Sequence, residues 1–152
     1  MQHYSGLPEK QIGDTWLTIG SFDGVHIGHQ KLISDLVAGA HKANCLAGVL
    51  TFVPHPAEVL RGLPDGFYLS SPDEKNKLLS TLGVDFVLSL PFTKEIAGWQ
   101  ANTFLEMVTD AIQVRRLIVG EGFALGKGRA GTTAVLEEAG KVFNYELQTV
   151  KP

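Results

Sequence analysis

Apolar positions along the chain switch between two spacings. Trp16 to Ile19 is a short apolar run ending at a glycine, the mark of a buried strand, and Leu32, Ile33, Leu36, Val37 and Ala40 then recur every three or four residues, which predicts a helix with one apolar face. Leu46 to Phe52 is apolar on both faces, as a central parallel strand is. Residues 53–70 lose this periodicity and hold Pro54, Pro56 and Pro64, and a loop of that length in a compact domain is usually functional. Ser71-Pro72-Asp73-Glu74 reads as a capping box with proline at the first helical position, so a helix starts there and stops near Gly83. Phe86 to Leu90 predicts a third strand. Phe104, Met107, Val108, Ala111 and Ile112 return to the helical period, Leu117 to Val119 predicts a fourth strand, and Val135, Leu136, Ala139, Val142 and Phe143 mark a last helix before a short strand at Leu147 to Val150. This alternation implies an α/β fold: five parallel strands, doubly wound, in which ligands sit beyond the carboxyl ends of the strands where strand order reverses. There is no internal repeat and no low-complexity segment.

Composition narrows the picture. The chain has 152 residues, one domain's worth, and a domain of this size buries about 70% of its unfolded surface without needing staples. Net charge is −3 and the thirteen lysines and arginines are scattered, so no nucleic-acid partner is expected. The one cysteine, Cys45, excludes an internal disulfide and fits a reducing compartment; at the start of an apolar strand it is expected to be a small buried core residue. The first residues lack a basic region followed by an apolar run, and no stretch approaches the roughly 18 apolar residues of a membrane span. The expectation is a cytoplasmic protein with no membrane partner.

Chemistry concentrates in the loop after the first strand, Gly20-Ser21-Phe22-Asp23-Gly24-Val25-His26-Ile27-Gly28-His29. Glycines let backbone N–H groups approach phosphate oxygens, and the opening turn of a helix offers unpaired donors and partial positive charge. His26 and His29, three residues apart on one face of that turn, add two side-chain donors aimed at the same anion. The histidines alone are open to other readings, as idle surface residues or, with Asp23, as part of a metal site. A zinc site needs three or four ligands and no convincing third histidine lies nearby, so no protein-held metal is expected. Asp23 before Gly24 reads more readily as a turn-former than a catalyst.

His26-Ile27-Gly28-His29 resembles the H-x-G-H signature of the nucleotidylyltransferases, and the longer G-x-F-D-G-x-H-x-G-H context resembles the adenylyltransferase module of bacterial FAD synthetases. Two further stretches carry the same resemblance. Thr51-Phe52-Val53-Pro54-His55-Pro56 is similar to the family's T-F-x-P-H-P motif, which lines the flavin side of the site, although Phe52 taken alone is equally a core residue. Phe67 and Tyr68 offer an added stacking surface for an isoalloxazine ring. Gly120, Phe123, Gly126, Gly128, Arg129 and Gly131 match the family's G-x-[D/N]-F-x-F-G-x-G-R-x-G segment, where backbone and an arginine approach the nucleotide. Arg129 by itself is also readable as a solvated surface charge. The same stretch mimics a dinucleotide fingerprint through Gly126, Gly128 and Gly131, but five residues separate it from Gly120; it mimics a P-loop through Lys127, but lacks the leading glycine and the Ser or Thr. Gly122 stands where the family has Asp or Asn, and Leu125 where it usually has an aromatic.

The resemblance implies the strand order Phe86–Leu90, Leu46–Phe52, Trp16–Ile19, Leu117–Val119, Leu147–Val150, which sets the two glycine-rich loops side by side. It implies adenylyl transfer from ATP, with Mg²⁺, to FMN. ATP would be held by Gly20, Phe22, Asp23, Gly24, His26, Gly28, His29, Gly120, Phe123, Gly126, Gly128 and Arg129, with His26 and His29 acting at the reacting phosphate, and FMN by Phe52, Pro54, His55 and Pro56. It also implies a Ser/Thr-rich closing segment and a covalently linked riboflavin kinase module beyond Pro152, so the chain is expected to be either a fragment or a short relative. A nucleotidylyltransferase with another phosphate acceptor, a nucleotide- or flavin-binding module without catalysis and, more distantly, an NAD-dependent dehydrogenase remain alternatives.

Overall fold

The computed structural model describes residues 1–20, 27–53, 72–91, 93–121, 123 and 131–151. Its strands are β1 (Gln2–Tyr4), β2 (Ile12–Ile19), β3 (Leu46–Val53), β4 (Phe86–Pro91), β5 (Ile112–Gly120) and β6 (Glu146–Val150). Its helices, numbered here over the described residues, are α1 (Ile27–Lys42), α2 (Pro72–Thr81), α3 (Lys94–Ala97), α4 (Ala101–Ala111) and α5 (Thr133–Phe143). All strand pairs are parallel, in the order β1-β4-β3-β2-β5-β6. The five expected strands stand in the expected order, and a sixth, β1, is added at the β4 edge. Its three residues are too few to show a period and their side chains are mostly exposed, so only backbone pairing to β4 makes it a strand. Tyr4 stacks edge-on against Phe86 at 6.1 Å and fixes the register.

The central strands are longer than their apolar runs. β5 alternates buried and exposed from Ile112 to Arg115 and is then buried on both faces from Leu117 to Val119. The polar residues of its first half hide the strand from a hydropathy reading, yet they face solvent on a genuine pleat, and Arg115 pairs there with Asp14 of β2 at 2.8 Å. Ile112, expected as the last apolar position of a helix, has extended backbone (φ −137, ψ 132) and opens β5 instead. The short α3 was not expected; Thr93 caps it, accepting from the Ile96 N–H at 3.2 Å.

Helices cover both faces. Leu17, Ile19, Leu50, Phe52, Leu88, Leu117 and Val119 pack with Phe104, Leu105 and Val108 of α4 and Leu136 of α5. Val49, Val87 and Ile118 point the other way and pack with Ile33 and Leu36 of α1 and Leu79 of α2. Each fully buried aliphatic side chain contributes about 1.5–3 kcal/mol. Three helix-to-strand turns use a positive φ to release the chain from the helix: Asn44 (59°), Gly83 (95°) and Asn144 (63°). Cys45 differs from expectation in being only partly buried, its thiol reaching the Ala43 carbonyl at 3.6 Å. No helix among the described residues is long and apolar enough to cross a membrane.

Candidate active site at the carboxyl edge of the sheet

From β2 the chain passes through α1 to β3 and then to β4 on one side, and later returns to build β5 and β6 on the other. Strand order therefore reverses between β2 and β5, and in open parallel sheets ligands bind beyond the carboxyl ends of the strands at such a reversal. Thr18 lies opposite Ile118, so Gly20 and Gly120, each two residues further on, end their strands at the same level. The Gly20 N–H donates to the Leu50 carbonyl at 3.0 Å, tying this corner to β3. A side chain added at Gly120 would meet nothing within 4 Å, whereas at Gly39, Gly48 or Gly140 it would strike Trp16, Phe86 or Tyr145. Packing within the chain therefore explains glycine at those three positions, whereas at Gly120 no neighbour among the described residues accounts for it.

Gly28 and His29 fall in the first turn of α1, and that turn carries no acidic residue; His41 and Lys42 close the last turn. Both features suit the helix dipole and leave the N-terminus favourable to an anion. His29 is partly exposed while its Nδ1 is withdrawn from solvent. Thr18, two residues before Gly20, is fully buried, and its hydroxyl finds no hydrogen-bond partner among the described residues.

Other candidates are placed differently. Phe123 folds back through an N–H···O bond to Gly120 at 3.1 Å and packs partly buried against the α4/α5 side of the sheet. Phe52 is buried in that same layer, with its ring 5.7 Å from that of Phe104. Its neighbour Thr51 points to the opposite face and receives a hydrogen bond from Lys75 Nζ at 3.4 Å. Lys75 is a buried cation at the sheet edge that sequence reading passed over; the available signal was a lysine in the first turn of a helix, where the dipole disfavours it. Phe22, Asp23, Gly24, His26, Pro54, His55, Pro56, Phe67, Tyr68, Gly126, Gly128 and Arg129 lie outside the described residues, as do Gly122 and Leu125. Among the described residues no three His, Cys, Asp or Glu side chains cluster as metal ligands.

An open depression of about 490 Å³ lies at the other end of the sheet, lined by Trp16, Cys45, Arg116 and Tyr145 among others. Its charges are already engaged. Arg116 donates to Glu146 at 2.7 Å and to Gln148 at 3.0 Å, and stacks 4.7 Å above the Trp16 ring, so its charge is spent within the chain.

Known proteins resemble this chain over most of its length. The bifunctional riboflavin kinase/FMN adenylyltransferase of Escherichia coli K12 is 33% identical over 136 residues, 89% of this chain and 44% of that protein. The protein of the same description from Buchnera aphidicola subsp. Schizaphis graminum is 30% identical over 140 residues, 91% and 45% of the two chains. The FAD synthetase of Listeria monocytogenes is 28% identical over 151 residues, 99% of this chain and 61% of that protein. The chain thus spans about half the length of the curated relatives it matches. A crystal structure described as a macrolide-efflux protein from Streptococcus pneumoniae superposes with a TM-score of 0.79 at 24% identity, over 99% of this chain and 50% of that one, and shares the fold. The FAD synthetase family profile matches residues 9–152, nearly the whole sequence, and the chain belongs to the FAD synthetase family.

Proposed function

We propose that the chain transfers the adenylyl group of ATP to FMN, giving FAD and pyrophosphate. The carrying observation is that β2 and β5 end level, at Gly20 and Gly120, where strand order reverses, with α1 the next helix after Gly20. Membership of the FAD synthetase family and the names of the E. coli and Listeria relatives support the same reading. An FMN phosphate oxygen attacks the α-phosphorus of ATP, the new P–O bond forms, and the bond to the β-phosphate oxygen breaks with pyrophosphate taking the electron pair. The attacking oxygen is already an anion and needs no general base. The chain's part is to align the two phosphates and neutralise charge as the α-phosphorus becomes five-coordinate. That work falls to the α1 N-terminus, His29 and His26, and to Arg129. ATP arrives as its magnesium complex, the metal being part of the substrate. Phe52, Pro54, His55 and Pro56 form the flavin side in this reading, Phe52 as a core residue that fixes the exit of β3.

The same reading makes the chain the adenylyltransferase part of a cytoplasmic protein joined to a riboflavin kinase module, as in the bifunctional relatives. The coding sequence beyond Pro152 tests this directly. For the activity, purified protein is supplied with ATP, Mg²⁺ and FMN, and FAD and pyrophosphate are measured; equal amounts of both are expected. Pyrophosphate release with phosphopantetheine or nicotinate mononucleotide in place of FMN, and none with FMN, overturns the acceptor. Binding of ATP and FMN without FAD, even at high protein concentration, turns the reading to a binding module.

A further inference from the structure

Thr18 is fully buried, and its hydroxyl has no hydrogen-bond partner among the described residues. On β2, Leu17 and Ile19 point to the α4/α5 layer, so Thr18 points to the α1 side, as Trp16 does. Its neighbours across the sheet are Val49 on β3 and Ile118 on β5, both fully buried in that α1-facing layer. The hydroxyl thus stands in an apolar row. A valine would keep the branched shape without withdrawing a polar group from water, a withdrawal that costs stability when no bond replaces the hydration. Folding alone gives no reason for threonine here.

The helix that covers it supplies one. α1 runs back over β2 from the carboxyl to the amino edge of the sheet: a side chain at Gly39 would strike the Trp16 ring, and His41 in the last turn pairs with Asp85 beside the start of β3. The first turn therefore lies towards the carboxyl edge, where β2 ends at Gly20. His29, Leu32, Ile33 and Leu36 fall at helical spacing on one stripe, and the last three are buried in the layer that holds Val49 and Ile118. His29 continues this stripe one turn beyond Ile33, and its Nδ1 is withdrawn from solvent.

We propose that Thr18 positions His29 for adenylyl transfer: in the substrate-bound state its hydroxyl donates to Nδ1, which leaves the ring proton on Nε2, the nitrogen turned to the α-phosphate. This rests on the adenylyl-transfer reading. The bond made at one ring nitrogen sets which tautomer an imidazole adopts, and a neutral ring with its proton on Nε2 donates to an anion without having to be charged first. Thr18 meets neither substrate. It is a positioning residue that acts through His29, and its hydroxyl serves the reaction at the expense of the resting fold.

The test is steady-state FAD formation by the purified protein, with kcat and with KM for ATP and for FMN, in T18V, T18S, H29A and the T18V/H29A double variant. T18V is expected to melt no lower than the parent and to lose about tenfold in kcat, with both KM values within about threefold of the parent. T18S keeps the hydroxyl and should recover kcat to within about threefold of the parent. In the H29A background T18V should cost less than about twofold, because the group it acts through is gone. A T18V loss under threefold, a loss that T18S does not recover, or one of equal size with and without His29 overturns the assignment. If T18V melts early, T18S is compared with T18A, which differs from it by the hydroxyl alone: a gap in kcat above threefold supports the role and a smaller one overturns it. A parent that forms no FAD overturns the adenylyl-transfer reading and this one with it.

Discussion

The two ends of the sheet treat polar groups in opposite ways. At the amino end they are consumed by one another. Asp85 accepts from the Ala47 N–H at 2.8 Å and from the His41 ring at 2.7 Å, so one carboxylate joins the start of β3, the start of β4 and the last turn of α1. Tyr145 donates to the Leu136 carbonyl at 2.6 Å and ties β6 to α5. At the carboxyl end, Thr18 is buried with its hydroxyl unsatisfied among the described residues, and Gly120 meets no neighbour among them. Polar groups that have found partners within the chain hold the fold together. A buried hydroxyl left without a partner among the described residues, as at Thr18, carries an energetic cost and adds nothing to the fold.

Substitutions at the two ends should therefore separate cleanly into losses of activity and losses of stability. The largest effect is expected for His29→Ala, which on the proposed function removes one donor to the reacting phosphate and should lower turnover roughly 10²–10³-fold. Its melting temperature should stay close to that of the parent, and a turnover loss under threefold would end the role proposed for it. Gly140→Ala comes next and acts in reverse: the new methyl would lie 2.5 Å from the Tyr145 carbonyl oxygen, so α5 and the β6 entry must part. Overpacking of this kind costs about 1–3 kcal/mol. Urea denaturation should show that loss, and the KM values of the protein that remains folded should be unchanged.

Asp85→Ala should cost about 1–3 kcal/mol, because the buried Ala47 N–H loses its acceptor. Asp85→Asn keeps an acceptor and forfeits chiefly the half-exposed His41 pair, so it should cost under about 1 kcal/mol. Equal losses for the two variants would show that the ion pair, not the backbone bond, matters.

A smaller effect is expected from pH. Burial pushes the Tyr145 hydroxyl from 10.0 up to about 12, so the folded state favours the neutral phenol. The resulting stability is fully present below pH 10 and is lost as pH rises from 10 towards 12. Melting temperatures measured across that window should fall faster for the parent than for Tyr145→Phe. Parallel curves would remove the argument. Least of all, Arg115→Ala should change stability by less than about 0.5 kcal/mol, since both partners of its pair with Asp14 are about half exposed.

The fold was legible where apolar periodicity is strong. The five strands with apolar runs, their order and the covering helices follow from it and from the family resemblance. The β1 strand was not legible, because three mostly exposed residues have no pattern and exist as a strand only through β4. The amino-terminal halves of β2 and β5 were missed for a related reason: polar residues such as Asp14 and Arg115 pair across the exposed face of the pleat. Cys45 was expected inside on the strength of its apolar neighbours, but it precedes β3 and remains partly open.

The site divides in the same way. Residue types and spacing alone placed Gly20 at the end of a strand and Gly28 and His29 at the start of a helix, since both signals are local in sequence. The meeting of Gly20 with Gly120 was decided by parallel pairing across a hundred residues. So was the difference between Phe52 and Thr51, two adjacent residues on opposite faces of one strand, and only packing assigns one face to Phe104 and the other to Lys75. A linear sequence records which groups a chain carries, and the pleat and the sheet order decide which of them share an edge, because those arise from contacts that no local pattern contains.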